Sequence, residues 1–338
     1  MKLCLAPLAG FTDAPFRRLC HEGGADLTYT EMVSAAGLAH GSSPTRHLME
    51  VMAGEGPVAL QLFGSKAEEL AFSVREAERF DGPGFCEINL NAGCPMTKVT
   101  REGAGAKLVE DPAKIYRLLK AMTENTSLPV TLKTRLGPHP ARTTVFELLD
   151  AAEQAGAKGL TVHARFTSQM HGGAVHLDLL REVVARARIP VTGNGSVTDA
   201  ATAVAMARTG VAGLMIGRAA LANPLLFREL RRALGLAAPA CGLPEESDGL
   251  CARHLEYVLA FRRQLAERYP DCHVPSEDAF ASVKMHVHLF RYFNGRPGAA
   301  ALRARLNSVR TLAEIYDIIN NYGQGRNTEV RPRGAGVV

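Results

Sequence analysis

The chain is predicted to fold as a (β/α)₈ barrel followed by a small C-terminal helical bundle. Short runs rich in Val, Ile and Leu recur eight times in the first two thirds of the 338 residues. Segments with helical periodicity separate them, and after Arg232 only helical periodicity continues. Continuous apolar runs alternating with helices mark parallel strands covered on both faces. Repeats of about 30 residues, eight of them over ~220, suit a closed barrel better than a doubly wound open sheet.

The expected strands are KLCLAP (2–7), DLTYT (26–30), PVALQLFG (57–64), FCEINL (85–90), PVTLKTR (129–135), GLTVHA (159–164), IPVTGN (189–194) and GLMIGR (213–218). Helical segments include 112–125, 144–156 and 175–187. In this architecture active sites form where strands end. The ends offer Pro7, Glu31, Gln61, Asn91 with Cys94, Lys133 with Arg135, His163 with Arg165, Asn194, and Gly217 with Arg218. So consistent a ring of polar or reactive groups indicates an enzyme.

Composition excludes several classes. Hydrophobic residues make up 46% and charged residues 22%, with a net charge of +5. That is globular, and it permits an anionic partner without requiring one. The seven cysteines (4, 20, 86, 94, 241, 251, 272) contain no CxxC pair. A disulfide framework and a zinc ribbon are not expected; a reducing cytoplasm is, with no metal. The opening MKLCLAPLAGFTD has too short an apolar run for a signal peptide, and no run of 18 apolar residues occurs, so no membrane association is expected.

Strand seven ends in TGNGSVTD (192–199) and strand eight in IGRAALANP (216–224). Glycine lets backbone N–H groups approach an anion, and Arg218 can add a charged contact. Loops after these two strands are the usual phosphate site of a barrel. Lys133 has two chemical readings: a Schiff-base amine, or a cation stabilising negative charge on a neighbouring ring. Gln61 can offer its amide to a heterocycle or be satisfied by backbone. Cys94, after the fourth strand, can serve packing, metal ligation, redox or acid–base chemistry.

In sequence order, APLAGFTDAPFR (6–17), TEM (30–32), QLFG (61–64), LNAGCPMTKVTREGAGAKLVEDP (90–112), LKTRLG (132–137), VHAR (162–165), TGNGSVTD (192–199) and IGRAAL (216–221) resemble the tRNA-dihydrouridine synthase family. The Asn-x-Gly-Cys-Pro element with its Gly/Ala-rich continuation is the most specific part. The C-terminal stretch is most similar to the bacterial B-type subgroup. The resemblance implies FMN at the barrel mouth and NADPH or NADH as reductant. Pro7, Leu8 and Ala9 would line the flavin, Gln61 and Lys133 would contact its ring, and His163 would lie close by. Asn194, Gly195, Ser196, Gly217 and Arg218 would hold the phosphate. Asn91 would contact the target uracil, Arg165 the substrate or flavin, and Cys94 would be the acid that protonates C5 after hydride reaches C6. A thiol suits that role because it is mostly protonated near neutral pH. Leu8 and Phe11 depart from the family pattern without removing a needed chemical group.

Residues 236–249 read as a linker. Helical periodicity follows at 250–269, 278–293 and 299–321. Between Ala279 and Ala313 stand Lys284, Arg291, Arg296, Arg303, Arg305 and Arg310, without Asp or Glu and interleaved with aromatics. One-signed charge on a helical module suits an RNA backbone, with Lys284 and Arg291 as expected tRNA contacts and the aromatics mostly in the core. The expected organisation is a catalytic barrel at 1–237, a tRNA-binding helical domain at 248–323 and a flexible tail at 324–338, in a monomer. The alternative is a flavin barrel acting on a free pyrimidine, like dihydroorotate dehydrogenase. That reading leaves the basic helical module without a role.

Overall fold

The computed structural model describes residues 1–80, 84–294 and 299–323. Arg296 and the expected tail at 324–338 lie outside the described residues. The chain divides into two compact units: Met1–Ala220 with Pro224–Gly242, and Leu221–Asn223 with the chain from Leu243 onward.

The first unit contains β1 (Lys2–Leu5), β2 (Leu27–Tyr29), β3 (Val33–Ser34), β4 (Val58–Phe63), β5 (Glu87–Ala92), β6 (Val130–Arg135), β7 (Leu160–His163), β8 (Val191–Asn194) and β9 (Gly213–Ile216). All pairings are parallel. The β2–β4 and β1–β9 pairings close eight of these strands into a barrel. The extra strand is β3, whose two residues extend one edge of β4 through Val33 opposite Leu62. The expected count of eight therefore holds for the ring but not for the whole sheet.

Side chains alternate across each strand. Leu60, Leu62, Ile88, Leu90 and Leu132 are fully buried on the face that the surrounding helices cover. Burying each contributes roughly 2 kcal/mol relative to leaving it exposed. The other face points into the barrel, and its two halves differ. Cys4, Ala6, Leu27, Tyr29, Ala59 and Met215 form an apolar cluster. Gln61, Glu87, Asn89, Asn91 and Thr131 form a polar one, joined by side-chain hydrogen bonds. β5 continues to Ala92, two residues beyond the expected end, because it stays paired with β6 through Asn91 opposite Lys133 and Ala92 opposite Thr134, which leaves Asn91 inside the strand.

Near the chain start, Asp13 caps the helix Ala14–Glu22 by accepting from the Phe16 amide at 3.2 Å. Arg17 on that helix is buried. It pairs with Glu55 and donates to the carbonyls of Thr12 (2.9 Å) and Glu50 (2.7 Å). The APFR stretch thus fastens the loop after β1 to the 50–55 turn.

The second unit is helical: Ser247–Arg268, Glu277–Phe293, Ala299–Leu306 and Leu312–Gly323. Phe261 meets Phe280 at 6.4 Å between ring centroids, and Leu255, Val258, Ala281, Met285, Leu289 and Phe293 are buried. The expected single helix over 299–321 is two helices. The Thr311 hydroxyl accepts from the Glu314 amide, and the Glu314 carboxylate accepts from the Thr311 amide. This reciprocal capping box starts a new helix and ends the periodicity of the old one. Among the described residues no helix is long and apolar enough to cross a membrane.

Candidate active site

Cys94 lies in the loop after β5 and is half-buried. Its position is set from three directions. The Asn91 Oδ1 accepts from the amides of Gly93 (3.1 Å) and Cys94 (3.0 Å), closing an Asx-type turn. The Cys94 carbonyl accepts from the Ala106 amide at 2.8 Å. The carbonyl of Gly93 accepts from Arg135 Nε at 2.7 Å. Arg135 is buried and also donates through Nη1 to the carbonyls of Phe166 (3.1 Å) and Met170 (2.8 Å). One guanidinium thus ties the Cys94 loop to the loop after β7.

Lys133 is half-buried, opposite Asn91 in the β5–β6 register, and donates to Asn194 Oδ1 at 3.3 Å. Burial, then the charge of Arg135, lowers its pKa to about 8, while the Cys94 thiolate form pulls it back up. Arg135 is lowered to about 10 by burial, again with Cys94 opposing. His163 is kept neutral by burial and by Lys133, Arg135 and Arg165. His171, whose ring centroid lies 6.2 Å from that of His163, is lowered by burial and the same cations together with Arg218. Arg165 is lowered by burial and by Arg218. The side-chain charges named in these shifts are cationic, apart from the thiolate form of Cys94. Such a mouth favours an anion.

The ends of β8 and β9 supply the backbone for one. Gly195 has φ +117°, and a Cβ there would stand 2.7 Å from the His163 ring. Ser196 follows at φ 53° and its hydroxyl accepts from Arg165 Nη2 at 2.6 Å. At Gly217 a Cβ would make only ordinary van der Waals contacts, with Ala6 Cβ at 3.9 Å and Leu8 Cδ2 at 4.0 Å, so the backbone there is not crowded. Pro7 and Leu8 are half-exposed and Ala9 exposed in the adjoining loop, and Arg218 is exposed. Glycine backbone and clustered cations fit the phosphate of a cofactor such as FMN.

Several of the expected residues have partners within the protein. Gln61 is fully buried, level with Asn89, and its amide is engaged at both ends: Nε2 donates to Asn89 Oδ1 and Oε1 accepts from Asn91. It therefore reaches the mouth through Asn91. Asn91 is itself engaged by Gln61, Met32 and the Cys94 turn. Arg165 stands beside Ser196 and His163, with two donors on the Gly173 carbonyl. Arg135 was expected only as a strand-end residue without an assigned role, and no role was expected for His171 or the Gly105–Ala106 backbone. In the second unit, Lys284 Nζ lies 5.9 Å from the Phe280 ring centroid, and Arg303 sits over Phe290 at 4.4 Å. Arg305 pairs with Asp317 at 2.5 Å. Lys284 and Arg291 are both half-buried.

A closed parallel barrel with cations clustered at its mouth and a loop-held thiol among them defines a barrel enzyme. A family model described as dihydrouridine synthase matches residues 4–322, and the chain belongs to that family. It is 37% identical over 266 residues to tRNA-dihydrouridine synthase B of Klebsiella pneumoniae, covering 78% of this chain and 82% of that protein. A probable tRNA-dihydrouridine synthase of Treponema pallidum is 37% identical over 331 residues, covering 94% and 91%. The tRNA-dihydrouridine synthase B of Pseudomonas putida is 32% identical over 340 residues, covering 99% and 95%.

Proposed function

We propose that this chain reduces uridine in tRNA to 5,6-dihydrouridine, with FMN as cofactor and NADPH as reductant, and with Cys94 as the proton donor. The observation that carries the reading is the placement of a half-buried thiol, held from three sides, in the field of Lys133 and Arg135. Pro7, Leu8 and Ala9 would line the ring, with Lys133 and His163 close to it. Asn194, Gly195, Ser196, Gly217 and Arg218 would hold the phosphate, and Arg165 would brace Ser196. When bound, the flavin supplies the hydride that C6 of the uracil receives.

The residues of the chain do the rest. Negative charge that develops across C5 and the C4 carbonyl is quenched when Cys94 Sγ–H gives its proton to C5. The sulfur is left as a thiolate, and Lys133 and Arg135 stabilise it electrostatically. Half-buried, Cys94 regains its proton from water before the next turnover. His163, kept neutral, adds no further positive charge beside Lys133. The helical unit, with exposed Arg303 and Arg310 and with Lys284 and Arg291, would bind the tRNA backbone.

The test is nucleoside mass mapping of tRNA that lacks dihydrouridine, incubated with purified protein, FMN and NADPH. Wild type is expected to add two mass units at a defined uridine, and Cys94→Ala to lose most of that activity. Unmodified tRNA with flavin-loaded wild type would overturn the reading. Full activity in Cys94→Ala would overturn the acid assignment.

A further inference from the structure

From the proposed role of Cys94, we infer that Glu87, at the floor of the barrel, is a positioning residue that sets the Cys94 turn through a one-way relay of buried side chains. The relay runs up the polar half of the interior. The Gly93 and Cys94 amides donate to Asn91 Oδ1. Asn91 Nδ2 donates to Gln61 Oε1 at 2.8 Å, and Gln61 Nε2 to Asn89 Oδ1 at 2.7 Å. Asn89 Nδ2 donates to Thr131 Oγ1 at 2.8 Å, and Thr131 Oγ1 to Glu87 Oε1 at 2.6 Å. Tyr29 OH donates to the same carboxylate oxygen at 2.8 Å. Gln61 and Asn89 are 0% exposed, Asn91 5% and Thr131 7%, so water does not substitute for these partners.

The sense of the relay follows from its two ends. A backbone N–H can only donate; burial pushes the Glu87 carboxyl up, the bonds from Thr131 and Tyr29 oppose that, and in the ionised form they favour it can only accept. Between them stand three amides and a hydroxyl, each of which can point either way in isolation. Reversing any one amide puts two donors or two acceptors face to face in a buried site, which is costly. With both ends of fixed type, one arrangement satisfies every link. In it, Asn91 turns its oxygen to the Cys94 loop. The same polar residues could have been replaced by apolar ones, as in the other half of the barrel. An apolar interior would hold the strands but would leave the Gly93 and Cys94 amides without an acceptor.

The test is hydrogen exchange on the full-length, flavin-loaded protein, read in peptides that end at Pro95. Proline has no amide hydrogen, so Gly93 and Cys94 dominate their C-terminal signal. Thr131→Val removes the link, and Glu87→Met removes the acceptor at the floor. Exchange at Gly93 and Cys94 is expected to rise about tenfold in each, the scale of one lost buried hydrogen bond. Thr131→Ser, which keeps the hydroxyl, should restore wild-type exchange. Thr161→Val, on the neighbouring strand but outside the relay, should leave it unchanged. In parallel, kcat for uridine reduction should fall in Thr131→Val while the KM for tRNA and the flavin content hold. Wild-type exchange at Gly93 and Cys94 in either Thr131→Val or Glu87→Met overturns the inference, as does failure of Thr131→Ser to rescue. Exchange needs no substrate, so an active Cys94→Ala enzyme would sink the acid assignment while leaving this result readable.

Discussion

Gly105 packs so tightly against Cys94 that a Cβ at position 105 would stand 2.6 Å from the Cys94 carbonyl oxygen. The next residue, Ala106, donates its amide to that same oxygen. Gly105 also has φ +58°, in the left-handed region. The Gly/Ala-rich run after the cysteine is therefore the backing of the Cys94 loop. Gly105→Ala should cost about 2 kcal/mol or more from backbone strain and displacement of the loop. Denaturant unfolding and kcat on tRNA should both report it, with flavin content retained.

Arg135 is the clasp between the Cys94 loop and the loop after β7. Arg135→Met keeps much of the apolar stem but leaves the carbonyls of Gly93 and Met170 without the guanidinium donor and that of Phe166 with the Gln169 amide alone. A destabilisation of about 3 kcal/mol is expected from losing a charged, multiply bonded partner. Arg135→Lys should recover only part of it, because one ammonium cannot reproduce the spread of the guanidinium donors. Urea midpoints of the three proteins decide the matter.

Lys133 makes anion binding in the mouth pH-dependent. Without an anion its pKa is about 8. A bound anion favours the ammonium form and raises that value. Below pH 8 the lysine is protonated in both states, so affinity is level. Above it, binding must take up a proton, and affinity falls by up to about tenfold per pH unit until the bound-state pKa is reached. Titrating FMN into flavin-free protein across this range should show the fall in wild type and not in Lys133→Met.

Gly195 is required twice, by φ +117° and by the His163 ring 2.7 Å from the position its Cβ would take. Gly195→Ala should push His163 aside and open the cradle at the end of β8. Purified Gly195→Ala protein is expected to carry much less flavin by absorbance, with secondary structure by circular dichroism intact. Undiminished flavin would remove this loop from the phosphate site.

Charge reversal in the helical unit should act on tRNA and not on chemistry. The double variant Lys284→Glu, Arg291→Glu should raise the KM for tRNA and leave kcat nearly unchanged. The salt dependence of binding should flatten by roughly one logarithmic unit for each phosphate that the protein no longer neutralises. An unchanged salt slope would place the RNA-binding surface elsewhere.

Much of this was legible in the residues themselves. The barrel announced itself through apolar runs at regular spacing, and Cys94, Lys133, His163 and Gly195 through their places at strand ends. The capping box Thr311-Leu-Ala-Glu314 was equally readable and marks the break that periodicity alone ran through. The alternation Glu87-Ile88-Asn89-Leu90-Asn91 carries a period of two, with polar residues on one face. It signals a polar barrel interior, although the apolar members dominate on first reading. Gln61 and Arg135 were visible as strand-end residues, but their partners were not.

The order of residues along the chain determined the barrel, the position of the thiol and the glycine-rich ends of β8 and β9. These are local properties: periodicity, backbone freedom and side-chain type act over a few residues. Only the closed tertiary structure decided that Gln61 is spent inside, that Arg135 clasps two loops, and that Glu87 lies at the foot of a relay ending at Cys94. Those links join residues from different strands, and each amide can point either way until both ends of the relay are in place. The sense of a buried hydrogen-bond network is a property of the whole ring and is set only when the barrel closes.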